Sequence, residues 1–89
     1  MWRSTLKTIE YSYTVLFEPA EEGGFVVTCP ALPGLVTEGD TLEEAREMAR
    51  DAIRLYLETL ASEGQQIPQD VQLKADPVKE TVRVSLSAA

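Results

Sequence analysis

Two rhythms run through the chain. Tyr11, Tyr13, Val15 and Phe17 alternate with Ser12, Thr14, Leu16 and Glu18. A period of two places one set on a common face of a strand, and Tyr, Val, Thr and Phe suit a pleated, half-buried surface. The pattern predicts a first strand over 11–18, with residues 1–8 as a lead-in whose Trp2 either frays or anchors a subunit contact. Pro19 and the Gly23-Gly24 pair then predict a hairpin loop. Residues 25–29, Phe-Val-Val-Thr-Cys, form a second strand that is apolar on both faces and therefore central. Pro33-Gly34 predicts a tight reversal into a short third strand over 35–38. Connections this short predict an antiparallel meander.

The rhythm then changes. Leu42, Ala45, Ala49, Ala52, Ile53, Tyr56 and Leu60 recur at helical spacing. Thr41-Leu42-Glu43-Glu44 reads as a capping box: the Thr41 hydroxyl accepts from the Glu44 amide, and the Glu44 carboxylate reaches back to the Thr41 amide. Asp40, Glu43 and Glu44 suit the positive end of the helix dipole, and Gly64 is the expected stop. On the outer face Glu43, Glu47 and Asp51 each precede Arg46, Arg50 and Arg54 by three residues. This predicts a ladder of ion pairs, each worth about 0.2–0.5 kcal/mol, or else arginines that meet a partner. A polar connection over 65–79 leads to renewed alternation over 81–87, with Val82, Val84 and Leu86 facing inward. The expected class is α+β: two layers, β-β-β-α-β, with one long helix packed on one face of an antiparallel sheet. Eighty-nine residues suit one domain over 1–89. A sheet this small leaves strand one or strand four with an open edge, and open edges are usually covered. The expectation is a two-fold homodimer, with a tetramer as its next level of assembly.

Charge changes this picture. Fifteen acids against eight bases give −7, and nucleic-acid binders usually carry the opposite sign. Residues 1–39 carry −3, residues 40–63 carry −4 and residues 64–89 carry none, so the negative field belongs to the meander and the helix. Direct nucleic-acid binding is not expected, and a basic partner is; the same charge would also simply keep a small protein soluble. Histidine is absent, which removes the commonest general base and metal ligand. A single cysteine, Cys29, excludes an intrachain disulfide and a cysteine-rich zinc site; it reads as a buried apolar group in a reducing, cytoplasmic setting. No signal peptide and no membrane-spanning run is seen.

Candidate chemistry reduces to carboxylates. Glu18, Glu21, Glu22, Glu38 and Asp40 could serve a Mg²⁺-dependent nuclease only if several converged. Acids in a glycine-containing loop ordinarily face water, so no enzyme activity and no cofactor is expected. Glu21, Glu22, Glu38 and Asp40, with Arg46 and Arg50, are the candidates for a protein-interaction surface.

The ordered run Phe17-Glu18-Pro19, Glu22-Gly23-Gly24-Phe25-Val26-Val27-Thr28, Pro30-Ala31-Leu32-Pro33-Gly34-Leu35-Val36-Thr37 and Gly39-Asp40-Thr41-Leu42-Glu43-Glu44-Ala45, with Ala52-Ile53-Arg54-Leu55-Tyr56-Leu57 later, resembles the HicB antitoxin family. The resemblance covers about residues 11–68. It implies a partial ribonuclease-H-like sheet and helix without catalytic carboxylates. It also implies binding to HicA, a small basic toxin that cleaves mRNA using a histidine. An acidic surface suits that role, because it can occupy the face that RNA phosphates would use. Many members append an operator-binding domain. Past Gly64 this sequence offers one strand and no helix pair, so the resemblance also allows an orphan oligomer with a structural or regulatory role and no toxin partner.

Overall fold

A computed structural model describes residues 7–71 and 79–88. Four strands and one helix follow in the order β1 (Lys7–Pro19), β2 (Phe25–Thr28), β3 (Val36–Gly39), α1 (Leu42–Ser62) and β4 (Lys79–Ala88). The strands form one antiparallel sheet in the order β3-β2-β1-β4, and α1 packs against all four strands. The expected two-layer α+β architecture is present.

Several boundaries differ from expectation. β1 begins at Lys7, inside the expected lead-in, because β4 supplies a partner for it from Lys7↔Ala88 to Leu16↔Lys79. β4 is longer than 81–87 for the same reason. Leu35 falls outside β3: its amide donates to the Leu32 carbonyl (3.1 Å) and its side chain closes the turn over the core. Cys29 likewise lies beyond β2, its carbonyl accepting from the Leu32 amide at 2.9 Å. Trp2 and residues 72–78 lie outside the described residues.

The core sits between sheet and helix. Tyr13, Val15 and Phe17 of β1, Val27 of β2, and Val82 and Val84 of β4 meet Ala45, Ala49, Ile53 and Leu57 of α1. The small alanines let the helix N-terminal half approach closely. A Cβ at Gly39 would lie 2.5 Å from the Ala45 amide nitrogen, and one at Gly24 would lie 2.6 Å from the Gly39 carbonyl oxygen. Gly24 also has φ +76, a left-handed conformation that favours glycine. These two glycines clamp the β1–β2 loop and the end of β3 onto the helix start. Thr41 caps that start, its hydroxyl accepting from the Glu44 amide at 3.0 Å. The Glu44 carboxylate accepts from the Asp40 amide at 2.9 Å, one residue before the expected Thr41 amide. Gly64, at φ +70, ends the helix, and the Gln65 amide donates to the Leu60 carbonyl at 2.9 Å, a left-handed helix stop.

Candidate interaction surfaces

The sheet register gathers the acids at one end. Glu18 of β1 pairs with Val26 of β2, and Val26 pairs with Glu38 of β3. Paired residues share a face, so two glutamates flank one valine on the sheet face away from α1. Beyond them the β1–β2 loop turns back on itself through hydrogen bonds from the Ala20 amide to the Gly24 carbonyl and from the Gly23 amide to the Ala20 carbonyl, both 3.0 Å. This places Glu22 opposite Glu38 and Asp40 around a cleft of about 170 Å³, which Ala20, Phe25 and the Gly23 and Gly39 backbones also line. Glu21 projects from the same loop into solvent. All five acids are exposed. Among the described residues no group of three Asp, Glu or Cys side chains is placed to hold a metal ion.

The arginines lie elsewhere. Arg46 and Arg50 line a separate cleft of about 340 Å³ together with Glu80, Thr81, Val82 and Arg83 of β4. The expected ladder is present in one rung only, Asp51–Arg54 at 3.6 Å. Arg46 turns away from Glu43 and binds the Glu80 carboxylate bidentately, through Nε at 2.8 and 2.9 Å and through a terminal nitrogen. A planar fork on a carboxylate is the stronger geometry, and it clamps the helix to the outermost strand. The hydrogen bond from Arg46 holds the Glu80 carboxyl below its ordinary value and raises the Arg46 guanidinium in turn. The six residues expected to form one surface therefore divide between two places.

Two features escaped the sequence reading. Leu55 is 66% exposed and, with Ala52, Tyr56, Thr59 and Leu60, lines an apolar groove of about 320 Å³ along α1. It lies about 200° around the helix from buried Ile53, so its departure from the inward stripe was readable. Leu57, omitted from that stripe, is fully buried. The second feature is the latch between residues 65–71 and β1. Asp70 accepts from the Thr14 amide and hydroxyl, both at 2.8 Å, and the Tyr13 hydroxyl donates to the Pro68 carbonyl. These partners are 55 and 56 residues apart, and no local signal pairs them. Burial pushes the Tyr13 phenol up to about 12 and the Cys29 thiol up to about 11, so neither side chain ionises near neutrality.

The sequence matches the family described as HicB-like antitoxins of bacterial toxin–antitoxin systems over residues 13–83. A UPF0150 protein of Synechocystis is 45% identical over 60 residues, 67% of this chain and 76% of that protein. A UPF0150 protein of Thermoplasma acidophilum is 45% identical over 58 residues, 65% of this chain and 84% of that protein. The antitoxin HicB 1 of Photorhabdus laumondii is 46% identical over 56 residues, 63% of this chain but 36% of that protein. Among the described residues no helix is long and apolar enough to cross a membrane.

Proposed function

The chain belongs to the HicB-like antitoxin family, and from that premise we propose that it binds and neutralises a small, basic, mRNA-cleaving toxin of the HicA type in the cytoplasm, with no catalysis of its own. The observation that carries this reading is the acidic end of the sheet. Glu18, Glu22, Glu38 and Asp40 converge there from two strands and two junctions, and Glu21 stands beside them. A basic protein that binds RNA presents a positive surface, and a preformed cluster of exposed carboxylates steers it and competes with phosphate for the same cations. The meander and the glycine clamp fix that cluster before any partner arrives, so little ordering cost falls on association.

A second reading has its own support. The relatives matched over three quarters or more of their length carry the UPF0150 name, whereas the match to the Photorhabdus antitoxin spans about a third of that protein. The chain would then be an orphan oligomer of the family, with a structural or regulatory role and no toxin.

Co-expression with the nearest small basic open reading frame, followed by size exclusion and an RNA-cleavage assay, separates the two. Co-elution with suppressed cleavage is the expected result. With the complex in hand, replacing Glu21 and Glu22 by lysine should slow association about tenfold at low salt and flatten its salt dependence. Unchanged association would remove the acidic end from the interface.

A further inference from the structure

The sheet has two outer strands, and they are not equally finished. β3 is four residues long, and a short edge is a protected one. β4 pairs with β1 on one side and over ten residues presents the other side to no described strand. It contains no proline, and the only charge on its outward face among residues 80–86 is Arg83. β1 was the alternative candidate for an open edge, but it is interior: β2 pairs with it at Leu16–Pro19, and Asp70 takes the Thr14 amide just beyond.

The β1–β4 ribbon is also incompletely covered on the helix side. Tyr13 and Val82 are buried there, Tyr11 and Leu86 are half-buried, and Ile9, paired with Leu86, is 46% exposed. The apolar row outlasts the helix that shelters it.

We propose that β4 pairs with β4 of a second copy, antiparallel and centred on Val84, to form a continuous eight-stranded sheet. A two-fold axis between antiparallel strands stands normal to the sheet and passes through a pair of identical residues, so the register choices are discrete. Centring on Arg83 sets two guanidinium groups directly opposite, a destabilising arrangement. Centring on Val84 gives an equally long overlap, over residues 80–88, and avoids it. Val84 then meets Val84, and each Val82 meets Leu86 of the second copy. The half-covered end of one ribbon is brought beside the strand segment that the other copy's helix already covers. On the opposite face Arg83 meets Ser85 of the second copy, and Ser85 pairs with Glu10 of its own β1. Arg83, Ser85 and Glu10 are all exposed. Two strand spacings, about 9–10 Å between Cα atoms, separate Arg83 from that Glu10 across one small serine. An arginine and a glutamate side chain together span this distance. The two-fold repeats the pair, so the register provides its own charge complementarity. The second copy is thus the occupant that this edge fits.

The proposal concerns the chain alone and stands or falls independently of any toxin. Sedimentation equilibrium of the full chain should give a species of twice the 9.8 kDa protomer mass. Arg83→Glu and Glu10→Arg, both at exposed positions, should each weaken dimerisation about tenfold, and the double variant should recover an affinity within about threefold of the parent, the ion pairs being re-formed with reversed sign. Hydrogen exchange on the unmodified chain supplies a second readout: amides within 80–88 should lose protection on dilution while those of β2 keep theirs. A parent chain that is monomeric at about 100 µM overturns the proposal. So does a dimer indifferent to both single reversals, or one that the double reversal fails to restore.

Discussion

β1 passes through two environments, and the side chains on its inner face record the change. Phe17 is 2% exposed, and Val15 and Tyr13 are equally enclosed; Tyr11 is half-buried and Ile9 is 46% exposed. The alternation is unbroken along all five. What differs is the surroundings. At the Phe17 end, β1 has β2 on one side and lies in the layer facing α1, where the Gly24 and Gly39 contacts draw loop, strand and helix together. At the Ile9 end β4 is its only partner among the described strands. A period of two specifies which face a residue takes, whereas the energy it contributes depends on how much protein lies over that face.

The sharpest test compares the two ends directly. Phe17→Ala should cost about 3–5 kcal/mol in urea unfolding, the usual loss for emptying a filled aromatic site. Ile9→Ala should cost less than about 1 kcal/mol at concentrations where the chain is monomeric. Similar losses at the two positions would show that the ribbon end is covered in solution by something the single chain does not provide.

Titration probes the boundary between the two ends. Tyr13 sits at the last enclosed position, its phenol pushed up to about 12, chiefly by burial and further by Cys29, Tyr11 and Asp70 nearby. The folded value lies above the unfolded value of about 10, so its contribution is complete below pH 10 and is lost as pH rises through 12. The loss should reach roughly 1.4 kcal/mol by pH 11, one pKa unit above the unfolded tyrosine. Cys29, raised to about 11 by burial, adds a loss of the same sign that begins near pH 9. Urea midpoints between pH 8 and 11.5 should fall accordingly, and Tyr13→Phe should flatten the upper part of that fall. A midpoint independent of pH up to 11.5 would place Tyr13 in the exposed regime with Ile9.

These contrasts also explain what could be read from the sequence. Alternation located β1 and β4, an apolar run and the turn residues around it located β2 and β3, and helical spacing located α1, because each buried face had to be apolar. The same signals could not give the length of β1 or β4: Lys7 to Glu10 become strand only because residues 85–88 arrive to pair with them. The acids Glu22, Glu38 and Asp40 were identified as residue types, and their convergence followed from register and from two glycine contacts that no local pattern encodes. Arg46 was assigned to the near carboxylate three residues earlier in the chain, but it binds Glu80, 34 residues away, because a bidentate geometry on the neighbouring strand outcompetes a solvated pair on the helix surface. The Glu44 carboxylate differed by one residue, taking the Asp40 amide that the turn out of β3 directs toward it.

The smallest expected effect concerns the open side of β1. Beyond Leu16 no described strand pairs with it there, and Asp70 accepts from both the Thr14 amide and the Thr14 hydroxyl. An aspartate in this position ends the ladder as a strand would, but from a segment whose described residues carry only Ile67 and Val71 into the core. Because the bonds are exposed, Asp70→Ala should lower global stability by less than about 1.5 kcal/mol. Locally the change should be larger: the Thr14 amide should exchange with solvent at a rate approaching that of the ribbon end, while the Phe17 and Val27 amides keep their protection. Exchange that rises equally at Thr14 and Phe17 would mean that the two ends of β1 open together. The gradient of exposure along the strand would then describe shape alone, and stability would not divide at the latch.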